Sequence, residues 1–216
     1  KYSLPITYGM ACSMKKLFII SPCAFTRKGF SNLELHEKMS DVEIINVESY
    51  EEVVAHIEMK APPSGPALII VDMTIRLRTF RTRQLANVWN LRRMMYTNPK
   101  LRKVPCVLFG IKEQSRLTLL HWISSDNSIE SLIGRIDNIY KKHEEYSSSN
   151  GIMQKGLEKR QRMLLELLMK GYSIQKLSVK MHTCPHSLFY SRDCLIAKLG
   201  LYDRYDFIAL SEDLIL

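Results

Sequence analysis

The chain has 216 residues, of which 46% are hydrophobic and 25% charged, with a formal net charge of +9 and a pI near 9.3. This length suits two small cores better than one, and no stretch approaches the roughly 18 consecutive apolar residues a membrane span needs. The basic balance favours an anionic partner, nucleic acid first. The cysteines are Cys12, Cys23, Cys106, Cys184 and Cys194. Their number is odd and no pair has CxxC spacing, so reduced thiols in the cytoplasm are expected rather than a disulfide framework.

Residues 1–14 show no clear periodicity and read as an N-terminal extension. Met14-Lys15-Lys16 followed by Leu17–Ile20 and Cys23 imitates a lipoprotein signal, but the apolar run is only four residues, where a signal core needs about 7–15. Leu17–Ile20 is instead a buried strand. Residues 26–39 then read as a helix with Phe30, Leu33, Leu35 and Met39 as its apolar face. Glu43–Val47 is a second strand and Tyr50–Met59 a helix through Val53, Val54 and Ile57. Pro62, Pro63, Gly65 and Pro66 break the chain.

Ala67–Val71 is a third strand ending at Asp72, residues 81–96 are helical through Leu85, Val88, Trp89 and Met95, and Val104–Phe109 is a fourth strand. Leu117–Ile123 carries a weaker fifth element, and Ile129–Tyr140 is an amphipathic helix. Strands alternating with helices predict a doubly wound α/β domain over residues 15–143 around a parallel five-stranded sheet. Residues 144–151 are polar and serine-rich and read as a linker.

From residue 152 to 216 the pattern is all-α. A first helix carries Leu157, Leu164, Leu165, Leu167 and Leu168 and stops at Gly171. Ser173 caps a second helix through Ile174, Leu177 and Met181. A turn at His182–Cys184 leads into a third with Pro185 in its first turn, running to Leu199. A fourth begins near Asp203 and carries Phe207, Ile208, Leu210 and Leu214. Two short helices joined by a tight turn can lay the second in a DNA major groove.

The run Leu157–Ser173 resembles the opening of the LuxR/NarL-type helix-turn-helix. Without a gap, Ile174–Met181 falls on that family's second helix, Ser187–Arg192 on its recognition helix and Lys198-Leu199-Gly200 on its K-L-G ending. The resemblance implies that Ser187, Phe189, Tyr190, Ser191, Arg192 and Lys198 face DNA. The family usually has lysine where Phe189 stands and histidine where Ser191 stands, so an atypical base preference is expected. For Arg192 and Lys198 the alternative is an ordinary solvated helix face.

Residues 21–30 and 66–73 are similar to the matching segments of response-regulator receivers. Asp72 falls on the phospho-acceptor position. Ser21 and Pro22 replace the acidic pair, Gly110 replaces the usual Thr or Ser after the fourth strand, and Ser125 the usual lysine. Phosphoryl transfer needs carboxylates on Mg²⁺ and a cation on the leaving oxygens, so a degenerate, inactive receiver is expected. The alternative role for Asp72 is to cap the turn after its strand.

Thr74–Lys103 holds nine cations, Arg76, Arg78, Arg81 and Arg83 among them, and no acid. Such a stretch suits auxiliary phosphate contacts or an acidic partner subunit. The alternative is a solvated face. His182, Cys184 and His186 are metal-ligand types, but they fall inside the turn between the two key helices, and neither metal nor cofactor is expected. No residue set argues for an enzyme.

The resemblance therefore implies a bacterial, nucleoid-associated regulator that binds double-stranded DNA as a homodimer, or as a heterodimer with another LuxR-type regulator. It is similar in this to auxiliary partners of Rcs-type regulators. An interaction protein that sequesters a related regulator without reading DNA is the alternative.

Overall fold

The computed structural model describes residues 14–59, 65–75, 77–111, 121–149 and 158–199, together with Leu201 and Asp203. Its first part is a five-stranded, all-parallel sheet in the order β2-β1-β3-β4-β5. The strands are β1 (Lys15–Ile20), β2 (Val42–Val47), β3 (Ala67–Asp72), β4 (Cys106–Gly110) and β5 (Trp122–Ser124). Every residue of β3 is buried, as expected of a central parallel strand covered on both faces.

Alternation along β1 and β3 divides the core. Leu17, Ile19, Leu68 and Ile70 point to one face, where they meet Phe30 of α1 (Ala24–Ser31) and Ile133, Ile136 and Ile139 of α5 (Ile129–Lys141). Phe18, Ile20, Ile69 and Val71 point to the other. There α2 (Tyr50–Met59), α3 (Arg78–Thr97) and α4 (Pro99–Arg102) supply Val53, Leu85, Leu91 and Leu101. A fully buried Leu or Ile is worth about 1.5–3 kcal/mol, so the two faces together fix both register and layer order.

Several expectations are amended. The helix expected over 26–39 ends at Ser31, and two 3-10 turns, Asn32–Leu35 and Glu37–Met39, replace its second half. Leu35 is consequently exposed while Met39 is buried. The third helix is longer than expected and the fourth strand starts two residues later. Of the expected fifth element, Trp122 and Ile123 are in β5, and residues 117–120 lie outside the described residues. Residues 143–149, most of which were expected in the polar linker, form α6 (His143–Ser149). It carries Glu144 and Glu145 in its first turn, where the helix dipole favours them.

Three further helices follow: α7 (Lys159–Met169), α8 (Ile174–Lys180) and α9 (Pro185–Leu199). The fourth helix expected near Asp203 lies outside the described residues. Leu164, Leu165, Leu177, Leu188, Leu195 and Leu199 close a core that is continuous with the α3 side of the sheet domain. Trp89 of α3 marks the junction: its Nε1 donates to the Leu199 carbonyl at 3.2 Å. No helix among the described residues is long and apolar enough to cross a membrane.

Candidate nucleic-acid interface

Local signals set the ends of α7, α8 and α9. Gln161 Oε1 accepts from the Glu158 N–H at 3.1 Å, one arm of a capping box at the start of α7. At its end Gly171 takes φ +75°. Tyr172 N–H reaches back to the Leu167 carbonyl and Gly171 N–H to the Leu168 carbonyl, both at 3.0 Å. This Schellman arrangement favours glycine at the left-handed position. Ser173 Oγ accepts from Lys176 N–H and starts α8.

The tight turn after α8 places His182 at φ +48°. Thr183 Oγ1 donates to the Met181 carbonyl at 2.9 Å and accepts from Arg160 Nη2 at 2.6 Å, so α7 clamps the turn. Pro185, which has no N–H to lose there, opens α9.

Leu188, Leu195, Ile196 and Leu199 are the buried stripe of α9. The opposite face follows from a 100° step per residue: His186, Tyr190 and Asp193, at i, i+4 and i+7, all exposed. Tyr190 is 71% exposed and Phe189, on the flank, 41%. An exposed helix face of this kind has dimensions that suit a major groove.

The six residues expected at DNA are distributed unequally around that face. Tyr190 stands at its centre and Ser187 and Phe189 on its flanks. The Ser191 hydroxyl is turned back to the Ser187 carbonyl at 2.8 Å. Arg192 lies toward the core side, its guanidinium 5.1 Å above the Phe189 ring and bonded to Asp193 Oδ1 through both Nε (3.0 Å) and Nη2 (2.8 Å). Lys198 Nζ donates to Gln161 Oε1 at 2.9 Å, tying α9 to the start of α7. Sequence reasoning weighed His186 only as a metal-ligand type and passed over Asp193, although helical phase against Leu188 and Leu195 would have put both on the outer face.

Cys184 precedes α9, with its Sγ 3.0 Å from Ser187 Oγ. The Ser187 hydroxyl, the Ser187 backbone N–H and neighbouring amides hold its thiol below the usual cysteine range. Among the described residues no three His, Cys, Asp or Glu side chains gather around a point that could hold a metal ion.

Asp72 lies at the carboxyl end of β3, where the strand order reverses between β1 and β3. It is fully buried. Oδ2 accepts from Ser21 Oγ at 2.6 Å, and Oδ1 from Thr74 N at 2.9 Å and Thr74 Oγ1 at 2.6 Å. Both oxygens are therefore engaged by the chain, in the turn-capping role set out for Asp72 above. At Gly110 an added Cβ would stand 3.3 Å from the Met73 backbone carbon, so the β3 and β4 loops close on each other there.

In the basic stretch, Arg76 lies outside the described residues. Arg81 is 7% exposed and so belongs to the buried face of α3 rather than to an open stripe, which amends its place among the auxiliary contacts. Arg78 is paired with Asp203 at 2.7 Å. Arg83 is exposed. Arg92 stacks over Trp89 at 4.6 Å from the ring centroid.

The sequence matches no family model and no curated protein. It is similar in structure to RcsB from Salmonella enterica serovar Typhimurium, bound to promoter P1flhDC in the presence of the phosphomimetic BeF3⁻. The two are 10% identical, the likeness covers 94% of this chain and 100% of that one, and the TM-score is 0.51. It is also similar to RcsB in a structure of two RcsB dimers bound to two parallel DNAs, at 10% identity, the same coverage and a TM-score of 0.50. At that identity the likeness is one of fold: the chain is built as a receiver-like α/β domain followed by a helical domain of the helix-turn-helix kind.

Proposed function

We propose that this protein is a DNA-binding transcription regulator that works at promoters as a dimer, with itself or with another LuxR-type regulator, and without phosphorylation. The observation that carries the reading is the outer face of α9. It lies beyond a tight, clamped turn, opposite the buried stripe, with His186, Tyr190 and Asp193 open to solvent. A helix so presented fits a major groove, and a dimer would set two of them in successive grooves.

Independence from phosphate is supported by the engagement of both Asp72 oxygens and by Ser21 and Pro22 in place of an acidic pair. Dimerisation draws on the fold likeness, since RcsB binds DNA as dimers in one of those structures. Arg83 is exposed, as are Lys100 and Lys103 of the same basic stretch, and these side chains can add phosphate contacts. A regulator of this kind acts in the cytoplasm on the nucleoid and needs no catalytic centre.

The test is a titration of fragmented genomic DNA from the source organism at two salt concentrations, with excess competitor. A discrete set of fragments retained by the whole protein at the higher salt is expected. Binding that is indiscriminate and disappears with salt would overturn the reading in favour of a protein that acts by capturing a related regulator.

A further inference from the structure

Arginine is the side chain that DNA-reading helices most often send to bases and phosphates. In α9 it is not the side chain held out. Of the adjacent pair, Arg192 is 18% exposed and Asp193 62%. The guanidinium rests on the Phe189 ring and sends two N–H bonds to one oxygen of the carboxylate, Oδ1. Asp193 Oδ2 has no donor among the described residues. Phe189, Arg192 and Asp193 thus form a chain of contacts that ends in an oriented acceptor, one turn beyond Tyr190 on the outer face, with its charge partly offset by the arginine.

We infer that Asp193 selects the base read by this helix, and that the base is a cytosine. The inference rests on the reading of α9 as a DNA-recognition helix. An ionised carboxylate only accepts hydrogen bonds. In the major groove guanine offers N7 and O6 and thymine O4, all acceptors that repel it. Adenine offers an N6 amine, but beside the N7 lone pair. Cytosine offers its N4 amine between a C5–H and the paired guanine O6, whereas adenine N6 lies between two acceptors, its own N7 and thymine O4, so cytosine is the base that satisfies Oδ2 at the lowest electrostatic cost. Rejection of the other three pairs contributes as much to the choice as the bond itself. Arg192 is a positioning residue here: it fixes the carboxylate rotamer and lowers the cost of bringing an acid near phosphates.

The experiment is selection of binding sites from a random duplex library with the whole protein, followed by affinity measurement on single-position variants of the selected site. The wild type is expected to enrich one invariant C·G pair per half-site, with about a tenfold or greater loss when that pair alone is changed. Asp193→Ala should become indifferent at that position and keep the others. Asp193→Asn, whose carboxamide matches N6 and N7 together, should move the preference to adenine. Arg192→Ala should weaken preference at that same position, whereas a merely structural role would weaken all sequences alike. If the alanine and asparagine variants both enrich the wild-type site unchanged, the assignment of Asp193 is wrong while DNA reading stands. If the wild type enriches nothing, DNA reading itself fails and the assignment falls with it.

Discussion

Ser21 Oγ and Asp72 Oδ2 lie 2.6 Å apart, both residues fully buried, at the carboxyl edges of adjacent strands. A carboxyl group in that position that accepts from Ser21 and twice from Thr74 is a structural joint between β1, β3 and the turn that follows. Asp72→Ala would leave three buried or half-buried donors without an acceptor. A loss of about 2–4 kcal/mol of folding stability is expected, and a smaller loss for Asp72→Asn, which keeps one acceptor. Urea unfolding of the three proteins measures this; an alanine variant as stable as the wild type would remove the joint from the account.

The same joint predicts the response to a phosphoryl donor. Acetyl phosphate with Mg²⁺ should add no phosphoryl mass to the protein under conditions that label an intact receiver. Nor should a hydroxyl restored at position 110 help. Gly110→Thr places a Cβ against the Met73 backbone at 3.3 Å and a branched residue at φ +156°, which costs about 1–3 kcal/mol. A stable, phosphorylated Gly110→Thr protein would contradict the closed geometry of these loops.

The sheet was legible because its strands are short apolar runs rich in β-branched residues, and β3, buried at all six positions, has the plainest. The helix-turn-helix was legible because Gly171, Ser173 and Pro185 each carry a backbone duty that few residues can perform. What stayed hidden was phase. Arg81, Leu85 and Val88 share one face of α3, which buries Arg81, while a count of charges along the sequence treats it like exposed Arg83. Arg192 and Asp193 are adjacent in sequence, yet one lies on the core-side flank and the other faces out. Helix α6 was obscured because its polar residues offer no apolar period, and Tyr146 is its packed residue on the α5 side.

Trp89 couples the two domains. Its indole N–H caps the carbonyl of Leu199 in the last turn of α9, where backbone acceptors lack partners within the helix. Its ring also carries the Arg92 guanidinium. Trp89→Phe removes the hydrogen bond and should cost about 1 kcal/mol. Trp89→Ala also removes the packing and should cost about 3 kcal/mol. Amide exchange should quicken selectively in the last turn of α9 in both. Unchanged exchange there would mean that the domains are not coupled through this residue.

The cysteines should separate by pH. Burial pushes the Cys106 thiol up to about 12, whereas hydrogen bonds from Ser187 lower that of exposed Cys184. The thiolate is the reactive form. A lowered value therefore means that Cys184 reaches half-maximal alkylation at a lower pH than a free cysteine measured beside it. Cys106 should remain unlabelled through pH 9. Peptide mapping of iodoacetamide adducts reads both, and Ser187→Ala should move the Cys184 midpoint upward. An unmoved midpoint would show that Ser187 does not set it.

Tyr190 and Leu195, five residues apart on α9, should have opposite consequences. Tyr190 is 71% exposed on the outer face, so Tyr190→Ala removes little that folding depends on and should change stability by no more than about 0.5 kcal/mol. It does remove a ring and a hydroxyl from the centre of the surface proposed to meet DNA, and a loss of about tenfold in affinity for selected fragments is expected. Leu195 is fully buried among the leucines that hold α7, α8 and α9 together. Leu195→Ala should cost about 2–5 kcal/mol through the cavity it leaves. Any loss of DNA binding in that variant should then track the unfolded fraction and vanish where the protein remains folded. Paired urea unfolding and DNA titration distinguish the two. If Tyr190→Ala binds DNA as well as the wild type does, the face of α9 opposite its buried stripe is not the one that meets the groove.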